Sequence, residues 1–149
     1  MSPASPPGSP PERPASAGSR PFESEAVSRG VRVGVRTRHL ADQSDARESL
    51  WAFAYQITIR NEGELSVQLL SRRWRITNAH GKVEEVRGPG VVGEQPRIAP
   101  GEAFVYTSGC PLDTPYGSME GAYVMVREDG EEFEAEVAPF LLSVPGDVN

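Results

Sequence analysis

Apolar residues recur at every second position along most of the chain. Val31, Val33 and Val35 alternate with Arg32, Gly34 and Arg36, and Trp51, Phe53, Tyr55, Ile57 and Ile59 alternate with Ala52, Ala54, Gln56, Thr58 and Arg60. Leu70, Trp74 and Ile76 continue the pattern, with Arg73 and Arg75 in the opposite phase. Phe104 with Tyr106, Tyr123 with Met125, and Phe133 with Ala135 and Val137 supply further sets. A period of two sends successive side chains to opposite faces of a strand, one for a core and one for water. β-Branched and aromatic residues fill most inward positions, which suits a pleated surface. The pattern predicts seven strands, near 30–38, 50–61, 66–77, 82–87, 102–108, 118–127 and 131–138.

Turn chemistry separates these runs. Asn61-Glu-Gly63 ends one strand, Asn78-Ala-His-Gly81 joins two as a hairpin, and Pro100-Gly101 turns the chain before Phe104. Asp129-Gly130 is the strongest hairpin signal. Ala41 to Ser49 is the one stretch with helical character, and it is short and polar. Many short antiparallel strands without intervening helices predict an all-β protein, a two-layer sandwich in preference to a barrel.

Composition sets limits on this domain. A chain of 149 residues with 38% hydrophobics holds one core. Seven of its 14 prolines (Pro3, Pro6, Pro7, Pro10, Pro11, Pro14 and Pro21) lie in an opening segment otherwise dominated by Ser, Ala and Gly. Such a segment buries too little to offset its ordering entropy, so residues 1–23 are expected to be a disordered tail. The folded unit is then 24–144, with a short tail at 145–149. A net charge of −6 argues against general nucleic-acid binding. No apolar run suits a membrane span or a signal peptide, so no membrane insertion and a cytoplasmic location are expected. The single cysteine, Cys110, excludes an internal disulfide.

One segment stands apart: Arg87-Gly88-Pro89-Gly90-Val91-Val92-Gly93-Glu94-Gln95-Pro96. It contains a G-x-G-x-x-G string, but the dinucleotide fingerprint needs a helix after the glycines. Gln95-Pro96 and Pro100-Gly101 follow instead, which rules that reading out. The run from Gly88 to Pro96 closely resembles the signature of ApaG proteins. So do Tyr55-x-Ile57-x-Ile59-x-Asn61, Leu70-Ser71-Arg72-Arg73-Trp74, Pro100-Gly101-Glu102-x-Phe104-x-Tyr106-x-Ser108-Gly109 and Gly117-Ser118-Met119-x-Gly121. The resemblance spans the folded unit in order. It implies an immunoglobulin- or fibronectin type III-like β-sandwich, a link to cobalt resistance and magnesium efflux, and phosphate or pyrophosphate binding at the glycine loop. Related eukaryotic modules act in protein–protein contact. No reaction is implied.

The residues themselves offer a candidate anion site. Backbone N–H groups freed around Gly88, Gly90, Val91, Val92 and Gly93 are suited to a concave nest. Arg87 and Arg97 flank the loop and add charge, while Pro89 and Pro96 subtract donors. The competing reading gives the glycines to a tight crossover between sheets and makes Val91-Val92 a core plug. His39, His80 and Cys110 have no partners at metal-ligand spacing, so no metal site is expected. Glu128 to Glu132 reads as a solvated hairpin tip. No nucleophile has a base beside it, so neither an enzyme nor a cofactor is expected. The alternative function is a protein-interaction module. For that reading, Val31 to Thr37 is taken as a guarded sheet edge, open to a partner strand or to a second copy as a homodimer, and Pro111 to Tyr116 as a binding loop.

Overall fold

A computed structural model describes residues 22–145. It contains nine strands: β1 (Ser24–Ser28), β2 (Val31–His39), β3 (Trp51–Asn61), β4 (Val67–Asn78), β5 (Val83–Pro89), β6 (Arg97–Ile98), β7 (Ala103–Leu112), β8 (Tyr116–Arg127) and β9 (Glu132–Ser143). One sheet has the order β1-β2-β3-β7, and the other β5-β4-β8-β9 with β6 also paired to β4. All pairings are antiparallel. The predicted sandwich is therefore present. The seven expected strands recur, with β1 and the two-residue β6 added, and β9 runs beyond its expected end. Ala41–Gln43 and Ala46–Glu48 form only short 3-10 turns.

The period-two pattern packs as the physics requires. Val31, Val33, Val35, Phe53, Ile57 and Ile59 from one sheet meet Leu69, Trp74, Tyr123, Met125, Phe140 and Leu142 from the other, all nearly solvent-free. Trp74 anchors the centre, with its ring edge-on to Tyr55, Tyr123 and Phe140 at centroid distances of 5.4, 6.1 and 6.1 Å. Such edge-to-face pairs add to the burial of the rings themselves. Both expected hairpin turns close as read. Asn78 accepts from Gly81 N–H, while its side-chain Oδ1 accepts from His80 and Lys82. Gly130, at φ 91°, sits in the turn between β8 and β9.

Two expectations change. Val31 to Thr37 is not an edge, because β1 lies outside it and β3 inside. Phe22 and Glu23, assigned to the N-terminal tail, join the sheet. Glu23 N–H bonds to Val35 O at 2.7 Å, and the Arg36 guanidinium stands 4.3 Å above the Phe22 ring. Gly34 makes room for that ring, since a Cβ at Gly34 would sit 2.7 Å from it. The rest of the expected tail, 1–21, lies outside the described residues, as do 146–149.

The two sides of the sandwich differ. Where β1 meets β9, side chains bridge the sheets: Ser24 Oγ donates to Ala138 O, and Glu136 N–H donates to Ser28 Oγ. On the other side, between β7 and the β4–β5 end, the sheets part and leave a cleft.

Candidate functional site

The cleft begins with an irregularity in β4. The register with β8 shifts between Leu69 and Ser71, a β-bulge. Such a bulge frees backbone groups from the ladder. Here Leu70 O accepts from Gly90 N–H at 2.8 Å and from Gln95 Nε2 at 2.9 Å. Leu69 N–H donates to Pro96 O and Gln68 Nε2 to Gln95 O. The glycine loop is thus pinned at both ends to one point on β4.

Between those anchors the loop reverses in two residues. Val91 and Glu94 exchange two backbone hydrogen bonds, each 2.8 Å. Val92 and Gly93 at the centre have φ of 42° and 83°. Positive φ at both central positions is the type I′ turn. The N–H groups of Val92 and Gly93 make no hydrogen bond among the described residues. The valine pair divides its roles: Val91 is 1% exposed and plugs the core, whereas Val92 is 56% exposed.

Arg72 crosses beneath the loop. It lies two residues before Trp74 and faces Gly88 across the β4–β5 ladder. Its Nη1 donates to Pro89 O at 3.0 Å and to Gly90 O at 2.9 Å. Arg73 reaches Glu134 and Arg32 reaches Glu62, whereas Arg60 donates to Gly101 O and Arg36 stands over the Phe22 ring. Arg72 has no acidic partner among the described residues. Its cation is held in place by loop carbonyls and left uncompensated.

The opposite wall comes from the other sheet. Tyr55 on β3 and Tyr106 and Ser108 on β7, together with Arg72, Pro89, Val91, Val92 and Gly93, line a half-open cleft of about 430 Å³. Tyr106 Oη and Tyr123 Oη form a 2.5 Å hydrogen bond across the core. Burial pushes the Tyr55, Tyr106 and Tyr123 phenols above the ordinary tyrosine range. All three are neutral at physiological pH, so the charge on the cleft is that of Arg72.

The expected site residues separate by strand phase. Val91, Val92 and Gly93 line the cleft. Gly88 lies against the Arg72 guanidinium, where a Cβ would stand 3.0 Å from Nη2, and Gly90 supplies a carbonyl to Arg72. Arg87 pairs in register with Arg73, whose side chain reaches Glu134 on the outer face. Arg97 precedes the buried Ile98 and is exposed. Neither Arg87 nor Arg97 lines the cleft, because each is one residue out of phase with the inward positions. Arg72, Tyr55, Tyr106 and Ser108 were not assigned to the site from sequence. One signal was available: Arg72 shares the inward phase of Trp74 and Ile76, where an arginine needs a reason.

Elsewhere the chemistry is sparse. Among the described residues, no three His, Cys, Asp or Glu side chains gather as a metal site would need. Burial, aided by the negative Glu84, pushes the Cys110 thiol up to about 11. Among the described residues, no helix is long and apolar enough to cross a membrane.

Comparison with known proteins agrees with this picture. The family model described as the ApaG domain matches residues 41–127, which include β3 to β8 and the glycine loop. A Protein ApaG of Pseudomonas putida is 56% identical over 116 residues, covering 78% of this chain and 92% of that protein. One of Mesorhizobium japonicum is 52% identical over 121 residues, covering 81% and 93%. A crystal structure described as the putative ApaA protein of Bordetella pertussis superposes with a TM-score of 0.76 at 46% identity, over 85% of this chain and 99% of that one. With the sandwich, the pinned glycine loop and these relatives in agreement, the chain belongs to the ApaG family.

Proposed function

We propose that this protein is a non-catalytic recognition module that binds a phosphate-like anion in the cleft between the glycine loop and β7. The observation that carries the reading is the shared address of one cation without a carboxylate partner and two N–H groups without acceptors. The Arg72 guanidinium lacks a carboxylate, and the Val92 and Gly93 N–H groups lack acceptors, and all border one cleft. Successive N–H groups in a left-handed turn make a cradle for an anion, and a guanidinium adds charge-assisted bonds. The neutral phenols and Ser108 offer hydroxyls without competing charge. Within the loop assigned from sequence, Gly88 and Gly90 serve the geometry, Val91 the anchoring, and Val92 and Gly93 the donation. Arg87 and Arg97, on the outer face, contribute only a distant field.

Recognition fits this site better than catalysis. No carboxylate, histidine or thiol lines the cleft, so no group there is placed to move a proton near neutral pH. The family's link to cobalt resistance and magnesium efflux would then run through the bound anion or a partner, not through metal ligation.

Isothermal titration with inorganic pyrophosphate tests the reading. The expected dissociation constant is on the order of 0.1–1 mM, rising with added salt. Arg72→Gln should weaken binding about tenfold or more, the worth of a hydrogen bond to a charged group. Arg87→Ala should leave affinity within about twofold. Equal losses in both variants, or no heat at millimolar ligand, would refute the assignment.

A further inference from the structure

The four outer strands of the two sheets are β1, β7, β5 and β9. Side-chain hydrogen bonds bridge β1 and β9. β5 carries Glu84, Glu85 and Arg87 and ends at Pro89. β7 is different: Ala-Phe-Val-Tyr-Thr-Ser-Gly-Cys-Pro-Leu, from Ala103 to Leu112, contains no charged residue. Sheet edges are normally guarded by charge, proline or a covering element. Over its first eight residues β7 has none of these.

The ladder shows which groups are free. Asn61 N–H donates to Glu102 O at the start of the β3–β7 pairing, and antiparallel strands exchange bonds at alternate residue pairs. Phe104, Tyr106, Ser108 and Cys110 are therefore the residues bonded to β3, given their register. Val105, Thr107 and Gly109 turn their N–H and C=O groups away from β3, with no intramolecular partner among the described residues. Beside this edge lies the cleft, into which Tyr106 and Ser108 contribute side chains. On the outer face Val105 is 51% exposed.

We propose that β7 accepts an extended peptide as a fifth strand, one of whose inward side chains places an anionic group, carboxylate or phosphate, on Arg72 and the Val92–Gly93 turn. The proposal rests on the anion reading above and gives its ligand a chemical class. A strand added to an edge takes its affinity from main-chain bonds and its specificity from pockets for alternate side chains. Here the inward side chains face a cleft with one uncompensated cation. The outward ones lie beside Val105, which favours an apolar neighbour. A second copy of this chain fits less well, because its own β7 has no acidic side chain to offer and would leave Arg72 uncompensated.

The test uses the full chain and a fluorescein-labelled seven-residue peptide of alternating threonine and valine with a central phosphoserine. Matched peptides carry glutamate or glutamine at that position, and inorganic phosphate is titrated in parallel. The phosphoserine or glutamate peptide should bind at least tenfold more tightly than the glutamine peptide, and which of the two binds tighter identifies the anion. The Val105, Thr107 and Gly109 amides should exchange with deuterium at least tenfold more slowly in the complex. Thr107→Pro, which removes an outward N–H at a position where edges tolerate proline, should abolish peptide binding, and Arg72→Gln should weaken binding of the charged peptides and of phosphate alike by about tenfold or more. Phosphate binding without peptide binding would overturn this proposal alone, and so would peptide binding without protection of β7. Absence of phosphate binding would overturn the anion site and the proposal together. Self-association of the chain through β7, seen by sedimentation, would assign the edge to a second copy and overturn it as well.

Discussion

Gly90 and Val92 both have left-handed backbone, at φ 60° and 42°, yet only the first is a glycine. At Gly90 a Cβ would collide with Glu94 O, inside the hydrogen-bonded turn. Gly90→Ala should therefore cost about 2–3 kcal/mol in urea denaturation, combining backbone strain with the displaced turn. Val92 points into solvent, so only its backbone is strained. For a β-branched residue that strain is on the order of 1–2 kcal/mol. Val92→Gly should raise stability by roughly 1 kcal/mol while keeping the turn's N–H groups, and pyrophosphate affinity should stay within about threefold. A loss of stability there would mean that the valine side chain packs more than its exposure indicates. Keeping strain at an exposed turn beside a cleft is the pattern of a site held for function.

Cys110 and the buried tyrosines supply a residue-scale prediction in pH. The thiol is raised from 9.0 to about 11 in the folded chain, chiefly by burial. The unfolded state then loses the proton first as pH rises. The stabilisation is fully present below about pH 9 and is lost as pH climbs towards 11. The raised phenols act in the same direction at higher pH. Melting temperature should be flat from pH 7 to 8.5 and fall above 9, with Cys110→Ala falling less steeply at first. A melting temperature that rises from pH 9 to 10 would contradict the burial argument.

At the scale of elements, β7 and β8 belong to different sheets and are joined by the hydrogen bond between Tyr106 and Tyr123. Tyr123 is fully buried. Tyr106→Phe should cost about 1–3 kcal/mol because it strands the Tyr123 hydroxyl. Adding Tyr123→Phe should recover most of that loss, and a double-mutant cycle by chemical denaturation measures the recovery. Simple additivity would show that the bond does not couple the sheets. The long strands were legible because their inward positions are large and apolar. β1 was not, and its reason is physical. In Ser24-Glu-Ala-Val-Ser28 the half-buried positions are Ser24, Ala26 and Ser28, while Val27 is 50% exposed. The small inward residues allow close approach to β9 and invert the usual signal. Missing β1 made β2 look like an edge. The bulge at Leu70 was equally hidden, since it leaves the spacing of Trp74 and Ile76 unchanged.

For the whole molecule, the sequence located the loop but not the cleft. Glycines and prolines mark where backbone must turn, so residues 88–96 stood out. The cleft is assembled from β3, β4, β7 and the loop, and those elements meet only when two sheets stack. Tyr55 and Tyr106 looked like ordinary core residues, and each is indeed nearly buried. Arg87 and Arg97 looked relevant through proximity along the chain, whereas strand phase turns them outward. The net charge of −6 likewise obscures the local charge of Arg72, which bonds two loop carbonyls and has no carboxylate partner among the described residues.

The most direct measurement is a nitrogen-15 NMR titration of the full chain with inorganic pyrophosphate. The account requires saturable shifts centred on the Val92 and Gly93 amides and the Arg72 side-chain Nε, with Arg87 and Arg97 little changed. Shifts confined to Arg87, Arg97 and the outer face, or shifts that grow linearly without saturating, would contradict it.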